Sequence, residues 1–288
     1  MDINRIAVVG GAGQMGTGIA QVAASAGFDV VVVDVSTAAL ERAEQRIARG
    51  LGRLVSGGKL DASQADEVTA RISWETDLDG AVAAADHVIE TVPEDLAIKH
   101  DVLRRIDDAA GEDVIIASNT SQFSISKLAA VTGRADRIIG THWFNPPPLM
   151  RLIEVVRGVL TSDETLTATL ALAERFGKET IVCQKDTQGF VTSRLIMLWC
   201  IEAMRIVEEG IATVEDVNKA CTLAFNHPMG PLDTADMGGL DSVVMAGEAL
   251  TAQYGERYRL PQNVRALVNA GRFGHKTGAG FRDYGEPR

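Results

Sequence analysis

The sequence is poor in cysteine: Cys183, Cys200 and Cys221 are its three cysteines in 288 residues. Three cysteines are too few for a disulfide framework, and none stands in the Cys-x-x-Cys pair that binds zinc or exchanges thiols. We therefore predict no metal site. We also expect a reducing, cytoplasmic environment, in which thiols stay free.

Basic residues are scarce relative to acidic ones. Lys and Arg number 28 against 39 Asp and Glu, which gives a formal net charge of −11. Because nucleic-acid binding requires a basic surface, we expect no nucleic-acid partner. The charge does not exclude an anionic small molecule that is held by a few local donors.

Long apolar runs are also missing. Outside the N-terminal strand and turn, the longest fully apolar stretch is residues 195–201. A membrane-spanning helix needs about 20 such residues, so we expect no membrane segment, and the first residues do not resemble a signal peptide. With 46% hydrophobic and 23% charged residues, the composition is typical of a globular chain of about two domains.

The first part of the chain alternates short apolar runs with amphipathic stretches. Strands that alternate with helices predict βαβ units and a mostly parallel sheet. The predicted strands are residues 6–9, 30–33, 87–91, 114–117, 138–141 and 152–156. The predicted helices between them are residues 14–26, 37–55 and 95–106.

The pattern changes near Asp186. Residues 190–210 read as one long helix whose middle is apolar on nearly all sides, so we expect it to be buried from several directions. No strand is predicted after Cys183. The sequence therefore predicts an α/β domain over residues 1–186 and an all-α domain over residues 187–288. Further helical signals in the second domain are a capped start at 213–216 and the stretches 240–254 and 261–270.

The sequence GAGQMG at residues 11–16 is the strongest local motif. It follows the first predicted strand and opens the first predicted helix, as a Rossmann-type dinucleotide site requires. We interpret Gly11 as the residue of the tight turn, Gly13 as the point where a pyrophosphate approaches the backbone, and Gly16 as a close helix–strand contact. The cofactor contacts predicted here are Gly11, Gly13, Gln14, Met15 and Gly16.

Asp34 ends the second predicted strand. Its carboxylate would accept hydrogen bonds from both hydroxyls of the adenosine ribose and would repel a 2′-phosphate, and the neighbouring Val35 is not basic. The sequence therefore predicts NAD rather than NADP. The competing interpretation is a glycine-rich turn of another α/β protein, with Asp34 as a helix cap.

A second motif, THWFNPPP at residues 141–148, places His142 at the end of a predicted strand. The three prolines cannot extend a helix or a central strand, so they return the chain to the strand that carries Glu154. A histidine and a carboxylate on neighbouring strand ends can form a general base and its orienting partner. A purely structural hydrogen-bonding role for His142 is the alternative.

A third segment, ASNTS at residues 117–121, ends an apolar strand in small polar residues. Open α/β sheets bind their ligands at the carboxyl ends of the strands, so this segment is a candidate part of the site. The alternative interpretation is a turn followed by a helix cap.

In this order and spacing, the segments resemble the L-3-hydroxyacyl-CoA dehydrogenase family over essentially the whole chain. The resemblance implies an NAD-binding domain, a helical domain that mediates homodimerisation, and NAD-dependent oxidation of a 3-hydroxyacyl-CoA, with a short acyl chain. Further matching segments are ETVPED (90–95), KDTQGF (185–190), HPMGP (227–231) and FGHKTGAGF (273–281).

The resemblance also implies roles for individual residues. His142 would be the catalytic base and Glu154 its partner, while Ser121 and Asn145 would lie around the reacting hydroxyl and the nicotinamide. Without the resemblance, Lys99 and Lys276 would be ordinary solvated lysines, and Glu94 would be an acidic residue in the first turn of a helix. The cofactor contacts implied in addition to the glycine motif are Asp34, Glu94, Lys99, Ser121, Asn145 and Lys276.

Two departures from the family pattern concern the substrate. Ser193 stands where the family commonly has a substrate-binding Asn, and a serine has a shorter reach and one hydrogen-bonding group fewer. The CoA-contacting Ser and Lys of the family fall at Gly50 and Gly57. These departures keep open the same chemistry on a non-CoA hydroxy acid or sugar acid, and a non-enzymatic NAD-binding role is a further alternative. The basic residues close by are Arg49, Arg53 and Lys59.

Overall fold

Eight strands form one sheet in the first of the two units into which the chain divides, Met1–Thr187 and Gln188–Arg288. The computed structural model describes residues 3–285. The strands are β1 (Arg5–Val9), β2 (Asp29–Val33), β3 (Ile72–Glu75), β4 (His87–Glu90), β5 (Ile115–Ser118), β6 (Ile138–Trp143), β7 (Leu152–Arg157) and β8 (Glu179–Cys183).

The strand order is β3-β2-β1-β4-β5-β6-β7-β8. Neighbouring strands are parallel from β3 to β6, β7 runs antiparallel to β6, and β8 is parallel to β7. The predicted α/β fold with a mostly parallel sheet is confirmed. Because β1 lies between β2 and β4, the chain order switches direction there, and ligands bind at such a switch point.

The inner strands consist mostly of apolar residues because both faces of the sheet are covered. Strand β2 reads Asp-Val-Val-Val-Val, and none of its four valines is more than 2% exposed. A strand that is buried on both faces has no reason to alternate polar and apolar residues.

Most helices of this unit begin at a side-chain cap that the sequence supplies. Ser36, Asp95 and Ser162 each accept a hydrogen bond from a backbone amide of the first turn that follows. The first helix begins at Gly13 and has no side-chain cap. The helices are α1 (Gln14–Ser25), α2 (Thr37–Ser56), α3 (Ala62–Ala70), α4 (Leu78–Ala83), α5 (Leu96–Ala109), α6 (Ile125–Ala129) and α7 (Asp163–Arg175).

Several elements are not predicted, and one of them, α7, has 13 residues. The edge strands β3 and β8 and the helices α3, α4, α6 and α7 are not among the predicted elements. Strand β3 has four residues, and β8 has one fully buried residue in five. Such short, partly exposed runs contain too few positions for a periodic pattern to identify them.

The second unit consists of helices, and its described residues contain isolated bridges but no strand. The Thr213 hydroxyl accepts a hydrogen bond from Asp216 N, so the predicted capped helix start is confirmed. No helix within residues 3–285 combines the length and apolar character that a membrane crossing requires. The helices are α8 (Thr192–Glu208), α9 (Val214–Ala224), α10 (Pro231–Gly238), α11 (Leu240–Tyr254) and α12 (Gln262–Asn269).

Helix α8 is buried on one side only within this single chain. Ile201 and Met204 are fully buried, whereas Leu195 is 65% exposed and Ile196 and Leu198 are more than a third exposed. Within the single chain the apolar middle is thus covered from one side, and its burial from further directions, across a subunit contact, stays a prediction. An apolar strip on α8 is left at the surface.

All three cysteines are buried, and Cys200 and Cys221 are free thiols. Burial, together with the nearby Cys221, raises the pKa of Cys200 to about 12. Because the thiolate is the reactive form, burial disfavours reactions of the Cys200 thiol at neutral pH.

Candidate active site

Three glycines of the motif at residues 11–16, which we call the glycine loop, differ in what surrounds them. A Cβ atom at Gly11 would lie 2.6 Å from the Val8 carbonyl oxygen, and one at Gly16 would lie 2.5 Å from the Gly11 Cα. These two positions exclude any side chain because the loop, strand and helix approach so closely. A Cβ at Gly13 would meet no protein atom nearer than 3.7 Å, so the space beside Gly13 is open to a ligand.

The glycine loop opens onto a cleft of about 570 Å³. The cleft lies at the carboxyl ends of β1, β2 and β4, and the first turn of α1 forms one wall. Since no side chain caps α1, its N-terminal amides and the positive end of its dipole are suited to an anion. Among the lining residues are Gly13, Gln14, Met15, Asp34, Val92 and Ile98.

Asp34 is joined to the glycine loop. Its Oδ2 accepts a hydrogen bond from Ala12 N at 3.2 Å. The helix that follows is capped by Ser36, whose Oγ accepts from Ala39 N. The interpretation of Asp34 as a helix cap is therefore wrong, and its carboxylate lines the cleft beside Val35, which is 95% exposed.

His142 and Glu154 are direct cross-strand partners in the antiparallel pair of β6 and β7. His142 Nδ1 lies 2.9 Å from Glu154 Oε2. The histidine side chain is 12% exposed and the carboxylate is fully buried. An ionised carboxylate only accepts hydrogen bonds, so this contact fits the histidine tautomer with its hydrogen on Nδ1, in which Nε2 is the nitrogen that can take up a proton.

Residues 144–151, the proline loop, connect these two strands and are held from two sides. Lys178 Nζ donates to the carbonyl oxygens of Pro147 and Met150, both at 2.7 Å. A Cβ atom at Gly18 of α1 would lie 2.7 Å from Pro147 Cδ, so only a glycine lets the loop pack there. Partial burial lowers the pKa of Lys178. Neither Lys178 nor Gly18 is among the predicted site residues.

Asn145 of the proline loop is joined to the glycine loop. Its Oδ1 accepts a hydrogen bond from Gln14 Nε2 at 3.0 Å. Two predicted site residues that are 131 positions apart in sequence are thus brought into contact.

Glu94 holds the segment that carries Ser121. One carboxylate oxygen, Oε1, accepts hydrogen bonds from Thr120 Oγ1 at 2.7 Å, from Ser121 N at 2.9 Å and from Gln122 N at 3.1 Å. Helix α6 is capped by Ser124, not by a residue of the 117–121 segment. Glu94 itself precedes α5, whose cap is Asp95, so the expectation of a first-turn helix acid is wrong.

Asn119 connects the same segment to the histidine strand. Its Oδ1 accepts a hydrogen bond from Trp143 N, at the residue next to His142. The carboxyl ends of β5 and β6 are therefore fixed to each other beside the histidine.

Lys99 is completely buried, so the interpretation of Lys99 as a solvated surface lysine is wrong. Its Nζ lies 2.9 Å from Glu90 Oε1, 3.2 Å from the Val92 carbonyl oxygen and 3.3 Å from Glu94 Oε2. Glu90, the last residue of β4, is also fully buried. Glu90 begins the matching segment ETVPED, but it is not among the predicted site residues.

Two of the predicted residues belong to the second unit. Ser193 lies in the first turn of α8. Lys276 Nζ donates to both carboxylate oxygens of Asp241, at 2.7 and 2.9 Å. Burial alone would raise the pKa of Asp241, but the hydrogen bond and charge of Lys276 lower it below its usual value.

Within the first unit, the predicted residues gather along the carboxyl edge of the sheet. The glycine loop follows β1, Asp34 follows β2, Glu94 and Lys99 come after β4, Ser121 follows β5, and Asn145 follows the His142 strand. This edge thus combines an anion-binding helix start, a ribose-type carboxylate acceptor and a histidine–carboxylate pair.

Two family models together cover nearly the whole chain. The model described as "3-hydroxyacyl-CoA dehydrogenase, NAD binding domain" matches residues 5–187, and that described as "3-hydroxyacyl-CoA dehydrogenase, C-terminal domain" matches residues 189–284. The chain belongs to the 3-hydroxyacyl-CoA dehydrogenase family. The predicted family, the NAD cofactor and the class of NAD-dependent dehydrogenase are confirmed.

Individual members of the 3-hydroxyacyl-CoA dehydrogenase family are similar over their full length. A Bacillus subtilis protein named "Probable 3-hydroxybutyryl-CoA dehydrogenase" is 43% identical over 99% of both chains. The 3-hydroxybutyryl-CoA dehydrogenase of Mycobacterium tuberculosis is 38% identical over 98% of this chain and 99% of its own. A crystal structure of (S)-3-hydroxybutyryl-CoA dehydrogenase from Ralstonia eutropha has a TM-score of 0.95 at 43% identity, covering 99% of this chain and 100% of that chain.

Proposed function

We propose that this protein oxidises a short-chain (S)-3-hydroxyacyl-CoA, of the 3-hydroxybutyryl type, to the 3-ketoacyl-CoA with NAD. The observation that carries the proposal is the buried Glu154 carboxylate on Nδ1 of His142, at the same sheet edge as an open dinucleotide cleft. The names of the similar proteins support the short acyl chain.

The cleft residues fit NAD. The open space at Gly13 and the uncapped amides of α1 suit the pyrophosphate, and the Asp34 carboxylate suits the two ribose hydroxyls. When bound, NAD supplies the acceptor for the hydride that leaves the carbinol carbon of the substrate. The family resemblance supports further cofactor contacts from Glu94, Ser121, Asn145 and Lys276, and it assigns one to Lys99 as well.

His142 is the general base of the proposed reaction. Its Nε2 takes the proton from the substrate hydroxyl, because Nδ1 is already held by Glu154. The charge of the buried Glu154 carboxylate then stabilises the imidazolium that forms. Ser121 and Asn145 hydrogen-bond the reacting oxygen or fix the histidine ring, and Ser193 contacts the substrate in place of the family's Asn.

A basic segment supports a substrate that carries phosphate groups. Residues 45–60 contain Arg46, Arg49, Arg53 and Lys59 and no acidic residue, in a chain whose net charge is −11. All four side chains are exposed. Arg46 Nη1 donates to Thr17 Oγ1 in α1, which brings this segment alongside the glycine-loop helix. We propose that these cations replace the CoA contacts missing at Gly50 and Gly57.

The second unit supports a homodimer. Leu195, Leu223 and Phe225 are each at least 65% exposed there, and apolar surface of this kind marks contact sites between protein chains. We propose that two copies associate through this unit. The free thiols of Cys200 and Cys221 support a cytoplasmic location.

NAD reduction, followed by the absorbance of NADH, tests the activity. The substrates are (S)-3-hydroxybutyryl-CoA, its (R) isomer and free (S)-3-hydroxybutyrate. Saturable turnover of the (S) thioester alone is the expected result. Turnover of the free acid, or of a sugar acid, in preference to the thioester would establish the same chemistry on a non-CoA substrate. Absence of turnover with every substrate, in a protein that still binds NAD, would favour a non-enzymatic role.

A further inference from the structure

The proline loop has few hydrogen bonds that fix it to the rest of the protein. Its three consecutive prolines carry no amide hydrogen. The amides of Leu149 and Met150 both donate to the Pro146 carbonyl oxygen, at 3.0 and 3.1 Å, and so bond within the loop. Among the described residues, the hydrogen bonds that reach the part from Pro146 to Met150 from outside the loop are the two donated by Lys178.

Lys178 lies in the turn between α7 and β8. Its ammonium donates to the Pro147 and Met150 carbonyl oxygens and lies 5.8 Å from the centroid of the Trp143 ring. Hydrogen bonds from a charged donor are roughly twice as strong as neutral ones. Partial burial lowers the pKa of this ammonium, because the loop displaces part of its hydration. A charged link therefore joins the proline loop to the start of β8.

Pro147 is the buried residue of the otherwise exposed stretch from Asn145 to Met150. Its ring packs on Gly18 of α1, where a Cβ atom would lie 2.7 Å from Pro147 Cδ. Its carbonyl oxygen accepts the hydrogen bond from Lys178. Helix α1 thus contacts the ring of Pro147, while Lys178 holds its carbonyl group.

The position of Pro147 bears directly on that of Asn145. Asn145 lies two residues earlier in the same loop, and its Oδ1 accepts a hydrogen bond from Gln14 Nε2. Gln14 and Gly18 are four residues apart in α1, so they lie on the same face of the helix. The proline loop therefore contacts one face of the helix that follows the glycine loop, at two adjacent points.

We propose that Lys178 is a positioning residue, which holds Pro147 on Gly18 and thereby keeps Asn145 beside the glycine loop. Loss of the ammonium would leave the carbonyl oxygen of the buried Pro147 without its donor, which is costly in a buried place. The effect on turnover rests on the proposed function, in which Asn145 hydrogen-bonds the reacting oxygen or fixes the histidine ring. The structural part does not, because the loop contacts exist without substrate or NAD.

The test compares Lys178→Met with the conservative Lys178→Arg, and Lys219→Met, at an exposed lysine of α9, is the matched control. Hydrogen exchange of the peptide that covers the proline loop is measured by mass spectrometry without ligand. The values of kcat and KM come from NADH absorbance.

In Lys178→Met, exchange of the loop peptide should accelerate by at least about fivefold, because the loop opens more often. We expect kcat to fall by at least about tenfold, since misplaced reacting groups slow the chemical step. KM for NAD should change less than kcat, because the glycine loop and Asp34 are untouched. Lys178→Arg keeps a charged donor, so its exchange and kcat should lie closer to those of the parent.

Gly18→Ala disturbs the same contact from the side of the helix. The added methyl group pushes Pro147 away from α1, so exchange and kcat should change in the same direction as in Lys178→Met. Because both substitutions displace one residue, Lys178→Met/Gly18→Ala should lose little more activity than the more damaging single variant. Fold-changes that multiply in the double variant would show that the two residues act separately and would overturn the proposal.

Three further results would also overturn the proposal. The first is parent-like exchange and kcat in Lys178→Met. The second is a lower kcat with unchanged exchange, which would give Lys178 a direct role in the reaction. The third is a Lys178→Arg variant that is no more active than Lys178→Met. If circular dichroism shows that Lys178→Met does not fold, Gly18→Ala decides, and parent-like exchange and kcat in that variant would contradict the proposal.

Failure of the proposed function is distinguishable from failure of this inference. If the parent oxidises no 3-hydroxyacyl-CoA, hydrogen exchange of the ligand-free variants still tests whether Lys178 holds the proline loop. If the parent turns over and the variants behave like it, the proposed function stands and the role of Lys178 is refuted.

Discussion

His142 and Glu154 face each other across the antiparallel pair of β6 and β7, with Nδ1 and Oε2 2.9 Å apart. The reversal of β7 in an otherwise parallel neighbourhood makes them direct neighbours. The backbone ladder between β6 and β7 fixes the separation, and groups on strands are held more rigidly than groups on loops. The proline loop connects the two strands and does not itself set the distance between His142 and Glu154.

Replacement of the base tests the mechanism. In His142→Ala, kcat with (S)-3-hydroxybutyryl-CoA should fall by roughly 10²–10⁴, which is the usual contribution of general-base catalysis. NAD titration should give the parent affinity, because the glycine loop and Asp34 are untouched. Turnover near that of the parent enzyme would show that another group takes the proton.

Replacement of the carboxylate tests the partner. Glu154→Gln keeps the size of the side chain but removes the charge that balances the imidazolium, so kcat should fall by at least about tenfold. Circular dichroism and NAD titration serve as controls for folding and cofactor binding. A kcat equal to that of the parent would contradict the role of Glu154.

The basic segment on α2 predicts a selective effect on CoA recognition. Arg49→Ala/Arg53→Ala should raise KM for the CoA thioester about tenfold, since two exposed charge contacts of roughly 0.5–1 kcal/mol each are lost. The KM of the pantetheine thioester, which lacks the nucleotide, should not change. Arg104→Ala, an exposed arginine on α5, is the control. The difference should shrink at high salt, and an equal rise for both thioesters would contradict phosphate recognition.

The burial of His87 leads us to expect that the folded protein is less stable in acid. Burial lowers its pKa to about 4 from the usual 6.5, and its Nδ1 has no hydrogen-bond partner among residues 3–285. The unfolded chain therefore takes up the proton first. The free energy of unfolding therefore decreases as the pH falls from about 6.5 toward 4. At about pH 5 the decrease is roughly 2 kcal/mol.

Urea unfolding at about pH 7.5 and about pH 5 checks this expectation. His87→Leu should remove most of that loss, whereas His227→Gln, at an exposed histidine, should retain it. An equal loss in the parent and in His87→Leu would assign the acid sensitivity to other groups.

The exposed strip on α8 predicts association. Leu195→Lys/Leu198→Lys should convert a dimer to a monomer in light-scattering measurements, because charges oppose burial at an apolar contact. Leu149→Lys, at a residue that is 73% exposed in the first unit, should leave the dimer intact. A parent protein that is monomeric at micromolar concentration would contradict the proposal.

The site residues that the sequence predicts are those that belong to short local motifs. The glycine loop, the strand-ending Asp34 and the His142 motif each lie within a short segment. Lys178 and Gly18 matter because of what the fold brings to the proline loop, at 31 and 129 positions from Pro147. A lone lysine and a helical glycine carry no such pattern, so only the tertiary structure reveals them.

Burial is the other property that the sequence does not disclose. Lys99 reads as a surface residue and is completely enclosed, while Leu195 reads as a core residue and is exposed. Lys99 is enclosed by residues from other parts of the chain, whereas Leu195 has no such neighbours within the described chain. The local sequence does not predict either situation.

Helix α1 starts without the side-chain cap that α2, α5 and α7 possess. Its N-terminal amides are left to donate hydrogen bonds to an anion. A bound dinucleotide therefore caps the helix in addition to taking part in the reaction. A ligand that binds only the folded chain adds about 2.7 kcal/mol of stability at a free concentration of a hundred times its Kd. The cellular supply of cofactor thereby becomes a determinant of how long the protein resists unfolding and proteolysis.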